Sequence, residues 1–140
     1  MANGPVSGQS IVITLPAKAM VFWSATAQAT FMQYVAVWAI SPSGGPDVLV
    51  FQATGTSPDG HSPANFGTGA FSTAAYGTTS FRVQVGVNGG ASWQQVLWQE
   101  TPLDLSGTTL FESFDFISED GTDLDFNDTH LSLQWFSRLG

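Results

Sequence analysis

The sequence predicts an all-β chain, an antiparallel sandwich or barrel, on three observations. Apolar residues alternate with polar ones over most segments that could be ordered, and no window of ten or more residues repeats with a convincing helical period. Gly, Pro, Asn and Ser gather between the alternating segments. Polarity comes from Ser, Thr, Asn, Gln and Gly: only 10% of residues are charged, whereas 43% are hydrophobic and 13% aromatic, too apolar for a disordered chain.

The elements follow in order. "IVITL" (11–15) and "MVFWSATA" (20–27) are short strand-length runs, followed by "FMQYVAVWAI" (31–40) and "DVLVFQA" (47–53). "SPSGGPD" (41–47) separates the last two as a turn. "FRVQVGV" (81–87) places Phe81, Val83, Val85 and Val87 on one face and Arg82, Gln84 and Gly86 on the other. "NGG" then signals a hairpin into "SWQQVLWQE" (92–100). "LFESFDFIS" (110–118) and "HLSLQW" (130–135) close the set, the latter with Leu131, Leu133 and Trp135 inward and His130, Ser132 and Gln134 outward. The stretch 54–80, rich in Gly, Ser, Thr, Ala and Pro, reads as a long surface loop with room for one short strand. No repeat or linker divides the chain, so residues 1–140 are expected to form one domain. Trp23, Trp38, Trp93, Trp98 and Trp135 lie mostly in strand patterns and are expected in the core or at a subunit interface.

Charge excludes several function classes. The net charge is −8, and Lys18, Arg82 and Arg138 are too few and scattered to grip nucleic acid. No basic amphipathic segment suits an anionic membrane, and the longest apolar runs, such as "YVAVWAI", are far short of a membrane span. Cysteine is absent, which rules out disulfide and thiolate chemistry. The start "MANGPVSGQS" lacks a basic region followed by an apolar one, so a soluble protein, cytoplasmic when made, is expected; later release or cell-surface display stays open.

Seven of the eleven acids fall between 112 and 128, with "SEDGTDLDFNDT" (118–129) the densest part. Hard oxygen donors at this density suit Ca²⁺, which takes six to eight oxygens in flexible geometry. Zinc would want His or Cys, and only His61 and His130 are present. Magnesium keeps more of its water. An EF-hand beginning at Asp123 would need Gly sixth and Glu twelfth, where Asp128 and Gln134 stand, and the flanks alternate as strands. Glu119, Asp120, Asp123, Asp125 and Asp128 together carry more charge than one Ca²⁺ requires, which points to two adjacent cations.

These residues carry a resemblance. "SEDGTDLDFND", the alternating strand after it, a Trp and the terminal "LG" resemble the bacterial two-calcium fucose/mannose-binding lectins (LecB-type). "TLPA" (14–17) and "FRVQVGVNG" line up in the same order, with 54–80 and parts of 98–112 departing as insertions or divergence. The resemblance implies an antiparallel β-sandwich of about nine strands that binds mannose- or fucose-type sugars through two adjacent Ca²⁺ ions. It implies Glu119, Asp123, Asp125 and Asp128 as side-chain ligands of the first ion, and Asp125, Asn127 and Asp128 of the second. It makes Asp120 a sugar hydrogen-bond acceptor and, counting on from "TLPA", gives the second ion a main-chain carbonyl from Gln28, where the family usually has Asn. Ala29, Thr30 and Phe31 fall on the family's specificity loop; Ala29 lacks the hydroxyl associated with fucose preference, which favours mannose-type ligands. Phe31 either stacks on a sugar face or begins the next strand. In these lectins the C-terminal carboxylate of a neighbouring subunit completes the second site, a role that would fall to Gly140 in a homodimer or larger homo-oligomer.

Enzymatic readings fare poorly. A glycosidase needs two carboxylates facing each other across the bond, one of them protonated, whereas these acids share one loop. Glu112 and Asp115, at strand positions, read as solvent-facing or as supports to the loop. Two histidines and no cysteine leave no nucleophilic triad to argue. The remaining rival is a calcium-stabilised structural or adhesive sandwich without monosaccharide binding, supported by the altered 28–31 loop and the high aromatic content.

Overall fold

The structure is a computed structural model and describes residues 2–119 and 125–138. The alternating segments become the strands β1 (Asn3–Ser7), β2 (Ile11–Thr14), β3 (Met20–Ala27), β4 (Gln33–Ala39), β5 (Val48–Gly55), β6 (Ala64–Ser72), β7 (Ser80–Val87), β8 (Ser92–Trp93), β9 (Gln95–Leu105), β10 (Thr108–Glu119) and β11 (Thr129–Phe136). One sheet runs β1-β9-β10-β11-β3-β6 and the other β2-β7-β4-β5, with β8 paired to β7. All pairings are antiparallel. Among the described residues the only helical elements are two 3₁₀ turns of three residues each, Thr73–Ala75 and Asn88–Gly90, and no helix is long and apolar enough to cross a membrane.

Inward residues of the two sheets meet in one core. Val35, Val37, Phe81, Val83, Phe114, Phe116, Leu131 and Leu133 are each at most 1% exposed. The tryptophans pack at its rim or on strand faces. Trp23 stacks on Phe51 at 3.9 Å between centroids, Trp98 stacks on Phe116, and Trp38 lies beneath the Arg82 guanidinium, which is paired to Asp47 at 2.8 Å. The expected hairpin after Val87 forms, with Gly86 opposite Trp93, and Asn88, Gly89 and Gly90 all at positive φ.

Three expectations change. There are eleven strands among the described residues rather than about nine, because β1 had no clear alternation and one expected strand is split in two. "SWQQVLWQE" divides into β8 and β9 at Gln94, whose amide turns inward instead of following the pleat. The 54–80 stretch is not one long loop: β5 runs to Gly55, and β6 is a nine-residue edge strand paired along the full length of β3. Its small residues are required there. A Cβ at Gly67 or Gly69 would sit 2.8 or 2.7 Å from the Trp23 ring, closer than packed atoms approach.

Candidate functional site

Strand register assembles the site. β11 lies between β10 and β3, so Thr129 faces Ser118 on one side and Ala27 on the other. The residues just beyond those pairs, Glu119, Asp128 and Gln28, are thereby brought side by side. The Asp128 N–H donates to the Ser118 carbonyl at 3.1 Å, and the Gln28 N–H donates to the Asp128 carbonyl at 3.0 Å. Three loop ends therefore meet at one end of the sandwich.

Glu119, Asp125 and Asp128 place carboxylate oxygens within 4.8 Å of one another, with Glu119 and Asp128 buried and Asp125 exposed. Two like charges at that separation repel by roughly 3–4 kcal/mol at a surface dielectric. The loop folds its N–H groups toward this charge. Glu119 Oε2 accepts from the Asp125 N–H at 3.1 Å and the Phe126 N–H at 3.4 Å, which requires Phe126 at φ +52°. A positive φ at a bulky residue is strained and persists where its surroundings impose it.

Asn127 sharpens the picture. With Nδ2 turned toward Asp125, its amide donates to Oδ1 at 2.8 Å and Oδ2 at 3.1 Å. With its oxygen turned that way, Asp125 and Asn127 present three oxygens to one point, an arrangement that a cation reconciles. The donor set is all oxygen, which fits a hard cation of the calcium type.

Beneath the loops lies a buried polar chain that sequence reasoning missed. Ser118 donates to Gln94 Oε1 at 2.7 Å, Gln94 Nε2 donates to Gln33 Oε1 at 2.8 Å, and Thr129 donates to the same Gln33 oxygen at 2.7 Å. Gln33 Nε2 in turn donates to the Phe31 carbonyl at 3.1 Å. All four side chains are at most 2% exposed. They tie both stems of the acidic loop to the 28–31 loop. Polar residues in alternating strands read as solvent-facing, so sequence gave no signal for this chain.

Gln28, Ala29, Thr30 and Phe31 line one open cleft of about 460 Å³ together with Asp125, Asn127 and Asp128. Phe31 is 61% exposed and precedes β4, which begins at Gln33, so it does not start that strand. Asp120, Asp123 and Gly140 lie outside the described residues. None of the five tryptophans lines the cleft.

Of the two acids set beside the loop in sequence, Asp115 faces outward and meets His130 Nε2 at 2.9 Å. Glu112 is only partly shielded from solvent. It sits on the inner side at the far end of β10, accepting from the Trp135 indole at 3.2 Å. Burial first, then a shared hydrogen bond with Glu100 and its charge, push Glu112 up to about 7.

Comparison with known proteins agrees with this architecture. A model of the family described as fucose-binding lectin II (PA-IIL) matches residues 13–137. No match is found among curated protein sequences. Among solved structures, the C-terminal domain of a Burkholderia cenocepacia lectin is similar with a TM-score of 0.69 at 21% identity, over 96% of this chain and 100% of that one. A Chromobacterium violaceum lectin in complex with α-methyl-fucoside gives 0.67 at 24% identity, over 94% and 99%. A Ralstonia solanacearum high-affinity mannose-binding lectin gives 0.66 at 24%, over 92% and 96%. The match across almost the whole sandwich, acidic loop included, means that the chain belongs to the fucose-binding lectin II (PA-IIL) family, a family of carbohydrate-binding proteins rather than enzymes.

Proposed function

We propose that the chain is a calcium-dependent lectin that holds mannose- or fucose-type sugars through two adjacent Ca²⁺ ions at the end of the sandwich. The observation that carries this reading is the convergence of Glu119, Asp125 and Asp128 within 4.8 Å at a cleft walled by residues 28–31. Glu119, Asp123, Asp125, Asn127 and Asp128 would hold the ions, with the Gln28 main-chain carbonyl, and Asp120 would accept a hydrogen bond from the sugar. The α-methyl-fucoside and mannose-binding descriptions of the similar structures support the sugar class.

The chemistry fits. A sugar hydroxyl competes with water for every ordinary hydrogen bond, so neutral contacts contribute little. Bound Ca²⁺ supplies coordination that hydroxyl oxygens can take over from water, and the carboxylates around it accept the hydroxyl protons through charge-assisted bonds. Vicinal hydroxyls of suitable stereochemistry satisfy both demands at once. Ala29 favours mannose-type ligands because it offers no hydroxyl of its own. Gly140 of a second copy completes the site in this reading, which makes the working unit at least a homodimer.

A glycan array run with calcium and repeated after chelation tests the proposal. Binding to mannose- or fucose-bearing glycans that disappears with EDTA and returns on adding calcium is expected. Binding indifferent to EDTA would refute the metal-bridged mechanism.

A further inference from the structure

We propose that the turn joining β5 to β6, residues 56–63, is a second wall of the sugar site, with His61 as a specificity-determining contact and Asp59 as the residue that positions it. The inference rests on the lectin reading above and extends it to a segment whose sequence gave no role.

Asp59, Gly60 and His61 line the same cleft as Asp125, Asn127 and Asp128, beside the 28–31 loop. The two walls are joined directly. The Ser57 N–H donates to the Ala29 carbonyl at 2.8 Å, and Gln28 Nε2 donates to the His61 carbonyl at 2.9 Å. Gly60, at φ +73°, lies so near the other wall that a Cβ there would meet the Thr30 methyl at 3.2 Å. The wall that follows Gln28 and the wall that carries His61 therefore move as one unit.

The turn is also rigid from within. Asp59 Oδ1 accepts from the N–H groups of His61 and Ser62, each at 2.8 Å, and from the Ser57 hydroxyl at 3.0 Å, while Oδ2 accepts from the Ser62 hydroxyl at 2.7 Å. The Ser62 hydroxyl first, then these N–H groups and Ser57, hold the Asp59 carboxyl well below the usual range. A side chain on such a preordered turn loses little freedom when a ligand arrives. His61 is exposed and brings ring nitrogens able to donate or accept, whereas Ala29 in the same cleft brings no polar side chain. His61 contacts those hydroxyls of the pyranose that the ions and carboxylates leave unclaimed.

The test uses the full chain with calcium present and titrates methyl mannoside and methyl fucoside into wild type, His61→Ala and Asp59→Asn, with calcium affinity measured separately. His61→Ala is expected to lose about tenfold in affinity for the preferred sugar, the worth of one hydrogen bond to a hydroxyl, and to change the mannose-to-fucose ratio at unchanged calcium affinity. Asp59→Asn is expected to shift the ratio the same way by less. If both variants match wild type in affinity and ratio, the turn is scaffold and the inference fails while the lectin reading stands. A wild type that binds neither sugar with calcium overturns both.

Discussion

Glu119 is 4% exposed and Asp128 8%, although both are acids; Glu119 is the last residue of β10 and Asp128 immediately precedes β11. Buried carboxylates are costly unless a cation or hydrogen-bond donors meet them. Here the Asp125 and Phe126 N–H groups supply part of that compensation to Glu119, and a bound cation would add to it in the proposed function. Calcium should accordingly raise thermal stability as well as enable binding. Glu112 is a different case, a partly buried acid whose neighbour is Glu100. Its folded value of about 7 lies above its ordinary 4.5, so it contributes stability that is fully present below about 4.5 and lost as pH rises through about 7. Replacing it with Gln keeps an amide oxygen for the Trp135 indole and removes the titration. Glu112→Gln should therefore raise the melting temperature by a few degrees relative to wild type at pH 8, and by less at pH 5. An equal difference at both pH values, followed by circular dichroism, would remove Glu112 from the account.

At the scale of elements, strands with clean alternation were legible in the sequence. MVFWSATA forms β3 over its full length, and FRVQVGV forms β7 with one residue added. β6 was not legible, since ANFGTGAFS answers to the Trp23 ring lying across Gly67 and Gly69 rather than to its own periodicity. The acidic cluster was legible because seven of the eleven acids crowd into residues 112–128, and three of them, Glu119, Asp125 and Asp128, come within 4.8 Å of one another. Its supports were not: Gln33, Gln94, Ser118 and Thr129 become a network only when four separate strand ends meet. That network makes a prediction at this scale. Gln33→Leu removes the acceptor of Gln94 and Thr129 and the donor to the Phe31 carbonyl, leaving buried polar groups unmet. It should cost about 1–3 kcal/mol of stability in chemical denaturation. Sugar affinity should fall as well, since both the acidic loop stems and the 28–31 loop lose their common anchor. A variant with lowered stability and wild-type sugar affinity would show that the network supports the fold alone.

At the scale of the whole molecule, the sandwich delivers three loops to one end: 28–31, 56–63 and the acidic segment. Joining these loops to different strands of two sheets lets the site be rigid without a disulfide, which a chain lacking cysteine cannot form. If Gly140 of a second copy completes the site, then a short C-terminal extension should weaken sugar binding at least tenfold and lower the dimer fraction in analytical ultracentrifugation, with the circular dichroism spectrum unchanged. Wild-type affinity in the extended chain would take Gly140 out of the site. The most direct test of the central claim is a calorimetric titration of the intact protein with mannose and fucose, first in calcium and then in EDTA. The account predicts saturable heat of one sugar per chain in calcium, and none after chelation. Calcium binding without heat from any monosaccharide would contradict it, and would make the sandwich a calcium-stabilised structural or adhesive domain instead.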